Sequence, residues 1–327
     1  MNEKSLTVLE QYDIEVVDTY RSRGNYGCNT KDKKYILQEY EHSNEKMISL
    51  KAIYDYLEKN HICTDYVIAN RENSFVSISE DGYQYILKRW YNAQECDIKN
   101  IEHMVEASKL LGAFHQLLEN TAQLFTDIKG FHPGKNMLVQ LSKHNREMVN
   151  IRNYIKKRKN KNEFEMTLFN IIDSYNSQAK ESYCLLEESS YVSLYEDAQI
   201  HKTINHGCFN HHNLMFEQET PILINLQKIN YAPQIQDLYD FLRKAMEKNG
   251  WDINIGHKII EAYDKTRLIT ASEYKVLKSM FCYPEKFWKI INYYYNSNKA
   301  WYSEKNADKL NVFKTQEDLR WNFIRSM

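Results

Sequence analysis

Short runs of alternating apolar and polar residues fill the first ninety positions, and this period is typical of β-strands with one buried face. Bounded by glycine and polar turn residues, the pattern predicts five strands: 16–21, 26–30, 34–41, a strand that runs from 66–69 into 75–79, and 83–90. The pair Asp81-Gly82 before the last strand is a strong hairpin signal. With a helix after the third strand, the predicted order is β-β-β-α-β-β.

The helix of this region is indicated by a change of period. Between 47 and 57, apolar residues recur at spacings of three or four, which places them on one helical face. Ser43 is a suitable N-cap residue, and the negative charge of Glu45 suits the first helical turn. We expect this helix to end near Asn60.

Beyond residue 92 the helical period dominates the chain. The sequence predicts helices at 104–118, 136–158, 163–188, 255–263, 271–280, 284–296 and 305–323, and a further helix that begins with 236–243. The small number of glycine and proline residues, 9 and 4, agrees with a helix-rich fold with few long loops. The sequence therefore predicts an α+β fold, with a small antiparallel-sheet region at 1–92 and a larger, mostly helical region at 93–327.

One segment, 205–225, breaks the helical pattern. Two apolar runs, 214–216 and 222–224, flank a polar turn and predict a small buried hairpin. The preceding loop is dense in groups that bind protons or metals, namely His206, Cys208, His211, His212 and Asn213. A polar loop that leads into a rigid hairpin places side chains at the edge of a cleft, so this segment is the candidate site.

Composition and charge argue against several classes of protein. The 43 Lys and Arg residues balance the 44 Asp and Glu residues, whereas a general nucleic-acid-binding protein normally carries a basic excess. No stretch approaches the ~20 apolar residues of a membrane span. Six scattered cysteines without a Cys-x-x-Cys pair indicate reduced thiols rather than a disulfide framework. We therefore expect neither nucleic acid nor a membrane among the partners.

The spacing around His206 resembles a known catalytic loop. The aminoglycoside phosphotransferase and choline kinase class of the protein-kinase-like superfamily carries His-Gly-Asp, then an Asn, and then a second Asp on the next hairpin strand. His206, Gly207 and Asn213 match this motif. Within the class, the chain most resembles the CotS-type spore coat proteins of endospore-forming bacteria. The resemblance implies a bilobal protein-kinase-like fold, with a small N-terminal sheet lobe and a larger helical C-terminal lobe.

The resemblance also implies roles for residues of the N-terminal region. The turn marked by Gly24 and Gly27 corresponds to the hairpin that covers the nucleotide phosphates in the family. Gln38 stands where the family has a lysine that reaches those phosphates. The hinge that grips the adenine falls at the end of the last strand, which implies that Arg89 and Trp90 bind the nucleotide.

Four further residues extend the comparison. Lys34 or Lys46 could replace the missing lysine, although neither lies in the family pattern. Glu45 would be the acidic partner on the helix. Asp237 matches a family aspartate that braces the catalytic loop, and its implied role is structural.

Three family charges are absent at their expected positions. Cys208 stands in place of the catalytic Asp, beside His206, and Asn225 stands in place of the metal-binding Asp, whereas Asn213 is retained as a second metal ligand. Gln38 replaces the lysine. A thiol with an ordinary pKa of about 8.5 is a poor substitute for a carboxylate base. Mg²⁺ prefers carboxylate, phosphate and water oxygens, so two neutral amides form a weak site.

The loss of three charges at separate positions predicts a pseudokinase. The chain would be a CotS-like spore coat protein, made in the mother cell, that binds or scaffolds other coat proteins or a small-molecule ligand. No cofactor is required by this interpretation; a bound nucleotide would be ATP or GTP with Mg²⁺. The alternative is a small-molecule phosphotransferase that uses ATP or GTP and unusual active-site residues on a hydroxyl acceptor.

A second alternative is a metal or thiol site on a reused scaffold. Five side chains that bind soft or borderline metals fall close together in the sequence, namely His201, His206, Cys208, His211 and His212. Their spacing matches no standard zinc pattern. A reactive Cys208 would require a thiol pKa lowered by a neighbouring histidine.

Overall fold

The computed structural model describes residues 3–22, 24–296 and 304–327. Its N-terminal strands are β1 (Asp18–Ser22), β2 (Asn25–Asn29), β3 (Lys34–Glu39), β4 (Val67–Ile68), β5 (Ser77–Ile78) and β6 (Gln84–Trp90). They form one antiparallel sheet with the path β1-β2-β3-β6-β4, in which β5 also pairs with β6. The predicted antiparallel sheet is confirmed.

One predicted strand is interrupted in the structure. The segment expected to run from 66–69 into 75–79 forms the two separate strands β4 and β5. Between them the Asn70 side chain accepts the backbone N–H groups of Glu72 and Ser74 at 3.0 and 2.9 Å, and Asn73 has a φ of 58°. A side chain that bonds its own turn competes with strand pairing, so both short strands pair with the long β6 instead.

Helix α1 (Asn44–Lys59) covers the inner face of the sheet. Its N-cap is Ser43, whose side chain accepts the N–H of Lys46 at 3.3 Å, and its C-cap is Asn60, as the sequence predicted. The apolar side of the helix is buried in the main core together with Ile86 of β6.

A 3-10 helix at Glu3–Gln11, which the sequence pattern did not predict, packs against the opposite face of the sheet. Val8 and Leu9 from this helix and Tyr12 just after it form a second core. The sheet contributes Tyr26, Cys28, Tyr35, Leu37, Tyr85 and Leu87 to this core. Both faces of the sheet are therefore covered.

The rest of the chain is mostly helical, as predicted. Its helices are α2 (Ile101–Leu117), α3 (Thr121–Leu124), α4 (Met137–Lys157), α5 (Glu163–Glu187), α6 (Tyr191–Ile200), α7 (Ile235–Lys248), α8 (Ile253–Thr266), α9 (Ala271–Cys282), α10 (Glu285–Asn296) and α11 (Glu304–Ser326). Asn136 and Asn162 cap α4 and α5 with side-chain hydrogen bonds. Among the helices that the structure describes, none combines the length and apolarity needed to cross a membrane.

Helix α9 offers a simple stability test. Thr270 and Glu273 form a capping box, in which each side chain accepts the other residue's backbone N–H, at 3.2 and 3.0 Å. Thr270→Ala is expected to lower the free energy of unfolding by about 1 kcal/mol in chemical denaturation. Ser190→Ala is the matched control, because Ser190 is an N-cap without a side-chain capping bond. Equal losses for both variants would contradict this account of the cap.

Candidate active-site cleft

The segment singled out in the sequence lies between the sheet region and the helical region. Its strands and their neighbours are β7 (Gln94–Glu95), β8 (Ile204–Asn205), β9 (Leu214–Glu217), β10 (Thr220–Leu223) and β11 (Asn230–Tyr231). The strands β9 and β10 form the predicted hairpin, β7 pairs with β9, and β8 pairs with β11. A 3-10 helix, His211–Asn213, joins the polar loop to β9.

The backbone of the loop is held by the side chain of Asp237, at the start of α7. The Asp237 carboxylate accepts the backbone N–H groups of His206 and Gly207, the latter at 3.1 Å. The buried imidazole of His206 bonds the carbonyl oxygen of Ile224 at 3.0 Å. Gly207 has a φ of +71°, and a Cβ there would lie 2.5 Å from the carbonyl oxygen of Lys228, so glycine is required.

Burial controls the charges beneath the loop. It raises the pKa of Asp237 to about 6, against the opposing influence of His206 and the two backbone N–H groups. Burial also lowers the pKa of His206, and it lowers the pKa of His115 well below its ordinary value. Neutral His115 joins the Tyr263 hydroxyl, 2.7 Å from Nδ1, to Asp237 Oδ2, 3.2 Å from Nε2. This contact is therefore a hydrogen bond rather than an ion pair.

An open cleft of about 390 Å³ lies in front of the loop. It brings Gln38, Cys208, Asn213 and Asn225 together, although Gln38 lies far from the other three in the sequence. The remaining lining residues are Glu39, Tyr40, Glu41, His42, Gln227 and Lys228. The cleft thus contains two carboxylates and one ammonium group besides the neutral amides.

Three hydrogen bonds at the cleft join four groups into a relay. Asn213 Nδ2 donates to the carbonyl oxygen of Cys208, and Asn225 Nδ2 donates to Asn213 Oδ1, both at 2.8 Å. Asn225 Oδ1 accepts from Lys88 Nζ at 3.3 Å. One end of the relay is a carbonyl, which only accepts, and the other is an ammonium, which only donates. These two ends determine the orientation of both amides and engage both amide oxygens.

The sequence placed Lys88 at the start of the hinge but assigned no role to its charge. It is 1 % exposed and forms an ion pair with Asp65, which is fully buried. Asp65 also accepts the Tyr54 hydroxyl at 3.1 Å and the backbone N–H of Asn225 at 2.9 Å. Asn225 itself adopts a left-handed conformation with a φ of 67°. The pair therefore joins strand β6 and helix α1 to the end of the hairpin.

The two lysines that could replace the family lysine donate to uncharged oxygens outside the Cys208, Asn213 and Asn225 group. Lys46 is buried and donates to the carbonyl oxygen of Gln227 at 2.9 Å, whereas Lys34 donates to Asn92 at 3.0 Å. Gln38 accepts from the Gln227 side chain at 2.8 Å. Glu45 is exposed at the first turn of α1. None of these three charged residues lines the cleft.

The predicted nucleotide-binding glycines lie in the first hairpin, away from the cleft lining. Gly24 has a φ of +81° in the turn before β2. Gly27 lies in β2, opposite Tyr20, whose ring covers it so closely that a Cβ would be 2.2 Å from Tyr20 Cζ. Gly27 pairs with Ile36, which pairs with Lys88, so the Tyr20 ring lies on the same side of the sheet as Lys88.

The two hinge residues also lie outside the cleft lining. Arg89 donates to Glu58 at 2.9 Å, and its guanidinium lies 5.3 Å from the centre of the Tyr66 ring. Trp90 is half-buried and packs on a small apolar cluster of the hairpin, formed by Met215, Ile222 and Ile224. The indole therefore lies between the end of β6 and the hairpin.

The five candidate metal ligands do not converge on one point. His201 Nδ1 contacts the carbonyl oxygen of Asp197 at 3.0 Å, and His206 is held beneath the loop. The Cys208 sulfur accepts from the Asn210 side chain at 3.3 Å. His211 and His212, by contrast, lie side by side with Glu95, outside the cleft lining.

This arrangement can be compared with known proteins. Residues 5–327 match the family model described as "Spore coat putative kinase YutH". The chain belongs to this YutH spore coat family. "Spore coat protein S" of Bacillus subtilis (strain 168) is 28% identical over 168 residues, which cover 49% of this chain and 46% of that protein. The chain thus matches somewhat less than half of the length of this curated relative, and the resemblance to CotS-type proteins is confirmed.

Solved structures agree on the fold of this YutH family member. An aminoglycoside phosphotransferase from Alicyclobacillus acidocaldarius matches 98% of this chain and 94% of its own, with a TM-score of 0.86 and 18% identity. The AMP-bound spectinomycin phosphotransferase matches 97% and 95%, with a TM-score of 0.63 and 14% identity. At such identities the similarity establishes the aminoglycoside phosphotransferase-like fold and not the activity.

Proposed function

We propose that this YutH family member is a catalytically inactive kinase-fold protein that binds or scaffolds other components of the spore coat. The observation that carries the proposal is the relay in the cleft. The oxygens of Asn213 and Asn225, which correspond to metal ligands in the resembling family, are engaged by Asn225 and Lys88 respectively. A metal ion at either position would compete with an internal hydrogen bond for the amide oxygen.

The ammonium of Lys88 lies against Asn225 Oδ1, where the family resemblance expects a magnesium ion. A second cation beside the Lys88 ammonium would be repelled by it, and the amide oxygen has no negative charge of its own to offset this repulsion. The residues present therefore do not fit Mg²⁺, which favours carboxylate, phosphate and water oxygens in a regular octahedron.

The charges that line the cleft also disfavour a triphosphate. Phosphoryl transfer depends on cations that neutralise the phosphates and on a carboxylate that orients the acceptor. Glu39 and Glu41 add negative charge to the lining, Lys228 is its single ammonium, and the position of the catalytic base is the thiol of Cys208. The lining therefore carries more negative than positive charge, whereas binding of a triphosphate requires an excess of positive charge.

The hinge side gives independent support. Trp90 packs against the hairpin cluster, and the Tyr20 ring covers Gly27 on the side of the sheet that carries Lys88. Aromatic side chains therefore pack against the protein at the two segments, the hinge and the first hairpin, to which the family resemblance assigns nucleotide contacts. The 390 Å³ opening at the loop remains available for a small ligand or a segment of another coat protein.

A binding experiment separates the two functions. We expect ATP and GTP, each with and without Mg²⁺, to leave the thermal unfolding midpoint unchanged, because neither the metal nor the phosphates find compensating charge. A ligand present at 100 times its Kd would add about 2.7 kcal/mol of stability, which such a scan detects.

The phosphotransferase alternative makes the opposite prediction. It requires a Mg²⁺-dependent shift together with turnover of labelled ATP or GTP, and that turnover should fall in Cys208→Ala. Steady turnover in the wild-type protein that Cys208→Ala abolishes, without loss of folded protein by circular dichroism, would refute the proposed inactivity.

A further inference from the structure

A cluster of possible metal ligands lies on the outer side of the hairpin. Glu95 belongs to β7 and pairs with Met215 of β9, whereas His211 and His212 open the 3-10 helix that leads into β9. One potential ligand atom from each of the three side chains lies within 4.8 Å of the others. Among the residues that the structure describes, this is the one group of three His, Cys, Asp or Glu side chains that meets this criterion.

The contacts within the cluster bring the donors together from two separate segments. His212 Nδ1 contacts the Glu95 carboxylate, and the imidazole rings of His211 and His212 are tilted by 37° with their centres 3.9 Å apart. His211 Nδ1 is buried and has no hydrogen-bond partner among the described residues. A buried ring nitrogen without a partner is unfavourable, and coordination of a metal ion would satisfy it.

The donor set decides which metal fits. Two imidazoles and one carboxylate suit zinc and similar transition metals, which bind such ligands at about 2.0–2.2 Å. Mg²⁺ and Ca²⁺ prefer oxygen ligands, so a site with two nitrogens selects against them. The ligand atoms must approach one another slightly to reach these distances from a common ion. Glu95 and His212 are exposed, so their side chains can make this movement.

Two lysines of α7, Lys244 and Lys248, lie close enough to influence His211. Their positive charge opposes a cation, so we expect moderate rather than very tight binding.

We propose that Glu95, His211 and His212 form a transition-metal site of the zinc class, with the remaining coordination position open to water. The bound ion would join the segment after the hinge strand to the helix that carries Asn213. The site is independent of the proposed inactivity of the cleft, because none of its three ligands lines that cleft.

Metal titration of the untagged full chain tests the site. Calorimetry with Zn²⁺ should give one equivalent bound, and Co²⁺ should give the visible absorption of a four-coordinate complex. His211→Ala, His212→Ala and Glu95→Gln should each weaken binding by about 10-fold or more. His201→Ala and Cys208→Ala are the matched controls, because both side chains lie in the same stretch of sequence but outside the cluster, and both should bind as the wild type does.

Three results would overturn the site. Absence of Zn²⁺ binding up to about 1 mM would do so, as would unchanged affinity in both His211→Ala and His212→Ala. A loss of affinity in Cys208→Ala comparable to that in His211→Ala would instead assign the metal to the loop thiol. Circular dichroism of each variant shows whether the fold is retained, and Glu95→Gln, at an exposed position, preserves a test if a histidine variant unfolds.

Discussion

Lys88→Met is expected to lower the free energy of unfolding by about 3–5 kcal/mol, since it leaves the Asp65 carboxylate buried without its counter-charge. Methionine keeps the length and most of the volume of the lysine side chain, so the effect reports the lost charge rather than a cavity. Urea unfolding followed by circular dichroism measures the difference. Arg89→Met is the matched control: the adjacent Arg89–Glu58 pair is exposed, and its loss is expected to cost at most about 1 kcal/mol.

The double variant Lys88→Met, Asp65→Asn distinguishes the charge from other effects. Once both charges are removed, part of the lost stability should return, because no uncompensated ion remains in the core. A Lys88→Met protein that is as stable as Arg89→Met would show that the pair does not hold β6 to the hairpin. If the double variant lost more unfolding free energy than the two single variants lose together, the electrostatic explanation would be contradicted.

The second large effect concerns pH and Asp237. Burial raises the folded-state pKa of this carboxyl to about 6 from an ordinary value of 3.8. Between these values the unfolded chain has lost the proton and the folded protein has kept it. The contribution of Asp237 is therefore fully present below pH 3.8 and is lost as the pH rises through 6. A difference of about two pKa units corresponds to a decrease on the order of 3 kcal/mol.

Asp237→Asn removes this titration, because an amide does not ionise. It also places an NH₂ group toward N–H donors of the loop, which should cost about 1–3 kcal/mol at low pH. We expect the wild type to be more stable than the variant near pH 4.5 and to lose most of that advantage by pH 7.5. Urea unfolding at several pH values measures both curves.

Asp240→Asn, on the same helix with an exposed side chain, is the control for this experiment. The decrease in stability with rising pH should persist in this variant, because Asp237 is retained. If the Asp237→Asn and wild-type curves were parallel instead, the buried carboxyl would not be the group that titrates.

Much of the fold was predictable because local patterns agree with tertiary structure. Ser43 caps the helix that its position indicated, and the strand predicted at 83–90 is β6, Gln84–Trp90. The N-terminal 3-10 helix was missed because its sequence is polar and carries only a few apolar residues, such as Val8 and Leu9. This helix packs where the outer face of the sheet offers apolar residues. That face forms only when the strands pair, so the spacing of apolar residues within the N-terminal segment does not predict it.

The composition of the cleft was predictable only in part. The motif placed Cys208, Asn213 and Asn225 in one loop and hairpin, and Gln38 lies beside them. The roles assigned to these residues stay predictions, as do those of Gly24, Gly27, Arg89 and Trp90. In the structure, these two glycines and two hinge residues do not line the cleft.

Lys88 and Asp65 could not be paired from sequence alone, because they lie on different elements and no periodicity relates them. One signal was available: Lys88 follows the apolar run Tyr85–Leu87 within a strand that is buried along most of its length. A lysine inside such a strand needs a buried partner. Similarly, Glu95 could not be related to His211 and His212 before β7 was known to pair with β9.

The ammonium at the end of the Lys88 side chain is a counter-ion that never dissociates. A protein whose halves are bridged by magnesium and nucleotide loosens when either is depleted or chelated. Here the bridge is covalently part of the chain. The attachment of β6 to the hairpin should therefore persist in EDTA and without nucleotide, where a dissociable bridge would be lost.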